Sequence, residues 1–286
     1  MSKQSQDVKQ IHYFHCTPDR SDYLLLYPNM LRILASAYRI KKFPRIKRHL
    51  SLARELFIDS GMISAHKKGE YEWQYQQAFV IEVADEVSAD YVAMLDIPCE
   101  PKMLKRSGMT VDQALYRTIE NAKRFLELKP LTAKKVFVIQ GFALDEYRKC
   151  IDAYRDLGIL DLNDVWLAIG SVCQRSPKNG LYSIARLVRH LIPDCHLHCF
   201  GIGKKAWIQA LGAIGIDSFD SAKASISVAF NRGVCRVEGK RTDAQVVRQF
   251  ADEMLAVEQY LNTPEPQLNA LKPSRGSGRD AAMRCK

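Results

Sequence analysis

The sequence predicts an α/β protein, a single-domain (β/α)8 TIM barrel spanning residues 1–262 and followed by a basic tail over 263–286. Three observations lead to this expectation. Short, β-rich apolar runs alternate with longer amphipathic stretches, the pattern of βαβ units and a parallel sheet. Polar or glycine residues (Asp59, Asp96, Gln140, Gly170, Gly201 and Asp220) stand where successive runs end, as a barrel places its functional groups at one mouth. The Gly-rich turn that opens a dinucleotide fold is missing, because Cys16-Thr-Pro-Asp follows the first run. A chain of 286 residues that is 47% apolar can bury one large core.

The strand candidates are Ile11–His15, Leu56–Asp59, Tyr91–Asp96, Lys135–Gln140, Val165–Ile169, His196–Phe200 and Ser218–Asp220. Between them the apolar spacing predicts helices over Glu72–Ser88, Val111–Leu128, Leu144–Leu157, Leu181–Leu191 and Lys204–Leu211, with a closing helix over Asp243–Leu261. Thr110 is a candidate N-cap for the second helix and Gly158 a candidate stop for the third. Seven strands are fewer than a barrel needs, so one or two irregular units are expected near the N-terminus. The stretch 263–286, rich in Pro, Gly, Ser and Arg and without apolar period, reads as a disordered basic tail.

Composition narrows the class. No stretch approaches the roughly 20 apolar residues of a membrane span, and MSKQSQDVKQ lacks the apolar segment of a secretory signal. The expectation is a soluble, cytoplasmic protein. The eight cysteines form no CxxC pair, which suits free thiols in a reducing compartment. A net charge of +10 and a pI near 9.2 favour a polyanionic partner. Between Arg39 and Arg48 stand six cations, Arg39, Lys41, Lys42, Arg45, Lys47 and Arg48, with no acid among them. These are candidate contacts to a nucleic-acid backbone, set against the ordinary fate of a charge run as a solvated face.

Two apparent metal motifs fail on geometry. In Cys195-His-Leu-His-Cys199, strand alternation sends the cysteines to one face and the histidines to the other. In His12-Tyr-Phe-His15 the histidines are three apart, so they do not share a strand face. Asp85, Asp90 and Asp217 read as surface or capping acids.

The strand ends carry a resemblance. Phe57-Ile-Asp59-Ser-Gly61, Met94-Leu-Asp96-Ile-Pro98, Val138-Ile-Gln140-Gly141, Leu167-Ala-Ile-Gly170, His198-Cys-Phe200-Gly-Ile-Gly203 and Gly215-Ile-Asp-Ser-Phe-Asp220-Ser-Ala222 occur in that order. Together they resemble the motifs of the tRNA-guanine transglycosylase superfamily, with Asp96-Ile-Pro98 in the form found in archaeosine-type enzymes. The resemblance implies a TIM barrel that exchanges a guanine base within a nucleic acid. It implies Asp220 as nucleophile, Asp59 as general base, and Asp96, Gln140, Gly170, Phe200 and Gly201 as the base-binding set. Phe200 would stack on the base, while Ile63 stands where the family has a second aromatic.

One departure bears on the substrate. The family's Cys-x-Cys-x-x-Cys zinc site has no counterpart, since only Cys235 and Cys285 follow Asp220 and no histidine does. No metal and no cofactor are therefore expected. Short relatives without zinc include the DNA-guanine transglycosylases of DpdA type, from bacteria and phages. The resemblance then implies DNA as the polymer and a 7-deazaguanine, 7-cyano-7-deazaguanine by family analogy, as the incoming base. The alternatives are a tRNA-guanine transglycosylase of the queuosine or archaeosine type without the zinc site, and a non-catalytic barrel subunit that binds nucleic acid.

Overall fold

The protein is described by a computed structural model over residues 11–18, 21–130, 132–222 and 243–262. Eight parallel strands close into one barrel in chain order, β1 pairing with β8. They are β1 (His12–Cys16), β2 (Arg32–Ser36), β3 (Glu55–Asp59), β4 (Tyr91–Ala93), β5 (Lys134–Ile139), β6 (Trp166–Ile169), β7 (His196–Cys199) and β8 (Ser218–Ser221). The helices are α1 (Ala37–Lys42), α2 (Met62–Lys67), α3 (Gln77–Glu86), α4 (Pro101–Ser107), α5 (Val111–Glu127), α6 (Leu144–Asp156), α7 (Leu181–Leu191), α8 (Lys205–Ile214) and α9 (Asp243–Asn262). The expected (β/α)8 barrel is the observed fold. The basic tail expected over 263–286 lies outside the described residues.

Local chemistry explains most of these elements. Thr110 caps α5 by accepting from the Gln113 amide while the Gln113 side chain accepts from Thr110 N–H, a reciprocal capping box. Gly158, in the left-handed region at φ +68, ends the turn after α6. The single helix expected over Glu72–Ser88 is two pieces, a 3-10 turn over Tyr71–Tyr75 and then α3. The Trp73 indole fixes that turn by donating to the Ser60 carbonyl. The expected strand Tyr91–Asp96 pairs only as far as Ala93, after which the chain leaves the ladder and brings Asp96 over the mouth.

The strand absent from the sequence reading is β2. Its register sets Ile33 against His15 of β1 and Arg32 against Glu55 of β3. Arg32 breaks the apolar pattern, yet it is one of the largest fully buried side chains. Its Nε donates to Glu55 (2.8 Å) and its Nη1 to Glu258 of α9 (3.2 Å). Two carboxylates offset the cost of burying the guanidinium. They also fasten α9, which buries Phe250, Ala251 and Met254.

Alternate residues of the strands fill the barrel in tiers. At the foot, Trp166 stacks on His196 (3.3 Å between ring centroids) and on Tyr91 (4.0 Å). Above them, Phe14, Phe57 and His198 meet edge to face. The top tier, where β1, β3 and β8 end, holds Cys16, Asp59 and Asp220. Among the described residues, no helix is long and apolar enough to cross a membrane.

Candidate active site

Asp220 stands at the end of β8, 5% exposed. Phe219 alternates away from it and is fully buried, which orients the carboxylate toward the barrel axis. Among the described residues, each hydrogen-bond partner of that carboxylate is a group that can donate. Oδ1 accepts from the Gly201 N–H (2.9 Å) and lies 3.1 Å from His198 Nε2, while Oδ2 accepts from Cys16 Sγ (3.1 Å). Burial, followed by the charge of Asp220 and this hydrogen bond, pushes the Cys16 thiol well above its ordinary pKa. The thiol therefore stays protonated as a donor.

Two more carboxylates share the mouth. Burial, then the charges of Asp96 and Asp220, push Asp59 up to about 7 against the opposing pull of the Gly61 and Ser60 backbone N–H groups. Asp96 is pushed up to about 6, mainly by burial and then by Glu100, against the favourable hydrogen bond from Gln140. Three acids so close cannot all ionise cheaply, which leaves protons to be moved near neutral pH.

A polar chain runs behind Asp96. Gln140 Nε2 donates to Asp96 Oδ2, and Gln140 Oε1 accepts from the Ser171 hydroxyl (2.6 Å). Ser171 also lies 3.0 Å from Glu100 Oε2 and accepts from the Cys99 N–H (2.8 Å). One of the two Gln140 Nε2 protons is thus directed to Asp96. A side chain at Gly170 would collide with that amide. The Gly170 N–H itself donates to the Ile139 carbonyl (2.9 Å) in the ladder. Gly170 thus acts by making room.

The Gly201 N–H donates to the nucleophile candidate, Asp220. Gly201 has φ +73, and a Cβ there would enter the Cys173 side chain, so only glycine brings this amide to Asp220. Phe200 is half-buried, with its ring 4.7 Å from His198 and 6.1 Å from Phe57.

The cation run divides. α1 starts at the mouth, where β2 ends, and the chain then descends to the foot, where β3 begins. Arg39, Lys41 and Lys42 lie on α1; Lys41 sits over the Trp73 and Phe79 rings, and Lys42 pairs with Glu70 (3.0 Å). Arg45, Lys47 and Arg48 lie on the 3-10 segment Pro44–Leu52, where Lys47 pairs with Glu86 at the end of α3. Strand direction puts this second group toward the foot, away from the carboxylates.

A family model described as "DpdA: DeoxyPurine in DNA protein A" matches residues 33–236. The chain belongs to the DpdA family. The DpdA span contains Asp59, Asp96, Gln140, Gly170, Phe200, Gly201 and Asp220, while Cys16 on β1 precedes it. Among curated proteins, the chain is similar to the tRNA-guanine(15) transglycosylase of Methanosarcina mazei, 26% identical over 174 residues that make up 58% of this chain and 33% of the relative. It is similar to that of Pyrococcus abyssi, 25% identical over 193 residues (65% and 31%), and to that of Thermococcus kodakarensis, 26% identical over 210 residues (68% and 34%). The chain thus spans about a third of the length of these relatives.

Within this DpdA site the sequence motifs missed Cys16, His198, Ser171 and Glu100. Alternation offered one signal, because His198 must share a strand face with Phe200. For the others the deciding partners lie far away along the chain. Asp217 was expected to be a surface or capping acid; it is in fact buried, accepting from Arg189 Nη2 and from the Leu197 N–H (each 2.7 Å).

Proposed function

We propose that this protein is a guanine transglycosylase that exchanges guanine for a 7-deazaguanine in DNA by double displacement. The observation that carries the reading is a pair of carboxylates on one barrel mouth in different environments. Asp220 is surrounded by donors, whereas Asp59 is driven toward neutrality by burial and by its acidic neighbours. Two carboxyl groups held in different environments can divide the roles of nucleophile and acid–base between them.

In the first displacement Asp220 attacks C1′. The C1′–N9 bond breaks, and its electron pair leaves with guanine. Asp59 in its protonated form supplies a proton to the departing base, and as carboxylate it removes one from the incoming base. Asp96 accepts from the N1–H and exocyclic amine of a guanine-like base, and Gln140 donates to its O6 or N7. Phe200 stacks on the base. No step is routed through zinc, for which the chain lacks the Cys-x-Cys-x-x-Cys ligands.

DNA is preferred because the family is the one described by deoxypurine in DNA. The similarity to tRNA-guanine(15) transglycosylases makes tRNA the second reading. 7-Cyano-7-deazaguanine is the proposed incoming base. A base within a duplex must be flipped out, at about a few kcal/mol, and Arg39, Lys41 and Lys42 on α1 would offset part of that by holding phosphates. The test is exchange of labelled guanine on duplex DNA, single-stranded DNA and tRNA in parallel. Incorporation into tRNA alone would replace the DNA reading. No exchange on any polymer, with binding retained, would favour the non-catalytic barrel subunit.

A further inference from the structure

Below Asp220 a chain of buried polar side chains descends through the barrel. His198 Nε2 lies 3.1 Å from Asp220 Oδ1, His198 Nδ1 lies 2.9 Å from Ser218 Oγ, and the same oxygen lies 2.9 Å from His196 Nε2. His198 and Ser218 are fully buried. The rings of Phe14 (6.1 Å), Phe57 (5.2 Å) and Phe200 (4.7 Å) surround the His198 imidazole, and among the described residues Asp220 is the one charged group in hydrogen-bond contact with it. His196 is clamped flat against Trp166 and faces His12, whose Nδ1 lies 3.4 Å from Glu55.

The proton order along this chain follows from valence. A carboxylate only accepts, so His198 must carry its proton on Nε2. An imidazole with its single proton on Nε2 accepts at Nδ1, which takes the hydroxyl proton of Ser218. Ser218 Oγ is left to accept from His196 Nε2–H. For singly protonated rings, one tautomer of each satisfies all the contacts, and the Phe cage keeps water from offering another.

We infer that His198, held in one tautomer by Ser218 and His196, is the positioning residue that occupies Asp220 Oδ1 and leaves Oδ2 as the oxygen that attacks the sugar. This rests on the transglycosylase reading of Asp220. Oδ1 takes both the Gly201 N–H and His198 Nε2–H, whereas among the described residues Oδ2 meets only the weak thiol donor of Cys16. When Oδ2 bonds to C1′ and the C1′–N9 pair departs with the base, Oδ1 becomes the ester carbonyl and keeps both donors. In the second displacement the incoming base bonds to C1′ and the Oδ2–C1′ pair returns to the carboxylate. The same two donors stabilise that returning charge.

The test uses the full chain and three variants, His198→Phe, His198→Gln and Ser218→Ala, assayed for base exchange and nucleic-acid affinity and examined by 15N NMR of the histidines. His198→Phe should lower kcat about 100-fold with KM unchanged, the scale for losing one donor to a developing anion. His198→Gln, which keeps an N–H donor, should recover part of that loss. Ser218→Ala removes only the tautomer lock and should cost about tenfold. NMR of the unmodified protein should show His198 as the Nε2–H tautomer, and Ser218→Ala should lose that preference. Wild-type kcat in a folded His198→Phe or in Ser218→Ala, or a resting Nδ1–H tautomer, would overturn the inference. The NMR arm needs no substrate, so it judges the chain even where exchange fails. Full exchange activity in Asp220→Asn would instead strike Asp220 as the nucleophile.

Discussion

Asp59→Asn removes a carboxyl whose ionisation the fold resists while keeping its shape, so it should raise stability and stop turnover together. The Asp59 carboxyl rises from an ordinary 3.8 to about 7, so the folded state binds the proton more tightly than the unfolded chain does. The stability this contributes is fully present below about pH 3.8 and is lost as pH rises through about 7. At ~1.36 kcal/mol per pH unit, the loss relative to acid is about 1.5 kcal/mol at pH 5 and about 4 at pH 8. Asparagine does not titrate, and its side-chain oxygen can still accept from the Ser60 and Gly61 N–H groups. The variant should therefore gain up to about 2–3 kcal/mol more over the parent at pH 8 than at pH 5. Urea titrations of both proteins at the two pH values, read by fluorescence, measure this directly. An equal gain at both pH values, or a variant less stable at pH 8, would refute the assignment of Asp59 as a carboxyl strained by burial and by Asp96 and Asp220.

Other outcomes follow from the same geometry. Asp220→Asn should lower base exchange by orders of magnitude while nucleic-acid affinity persists, and denatured wild-type complexes should carry a sugar adduct that mass spectrometry maps to residue 220. Gly201→Ala, strained at φ +73 and driven into Cys173, should cost about 1–3 kcal/mol of stability and lower kcat about 10–100-fold as the amide leaves Asp220; a wild-type rate would deny that amide its role. Neutralising Arg39, Lys41 and Lys42 should flatten the salt dependence of binding by about 0.7–0.9 per lost phosphate contact. The same change at Lys47 and Arg48, near the foot, should leave the slope as it was; the reverse ranking would place the polymer on the other flank.

Much of this protein was legible along the chain because its signals are local. Alternating strand and helix periods, the Thr110–Gln113 capping box and the stop at Gly158 depend on residues within a turn or two of each other. The polar strand ends carrying Asp59, Asp96, Gln140 and Asp220 were equally readable, since a parallel barrel brings all such ends to one mouth. Tertiary structure alone decided what those residues touch. β2 is hidden by Arg32, which is buried only because Glu55 and Glu258 come from a neighbouring strand and the last helix. Cys16 meets Asp220 across 204 positions of chain. The hydrogen bonds of Gln140 to Asp96, and of the Gly201 amide to Asp220, likewise arise where separate strands converge. Hydrogen bonds act over about 3 Å, so partners brought within that reach by barrel closure leave no trace in sequence spacing.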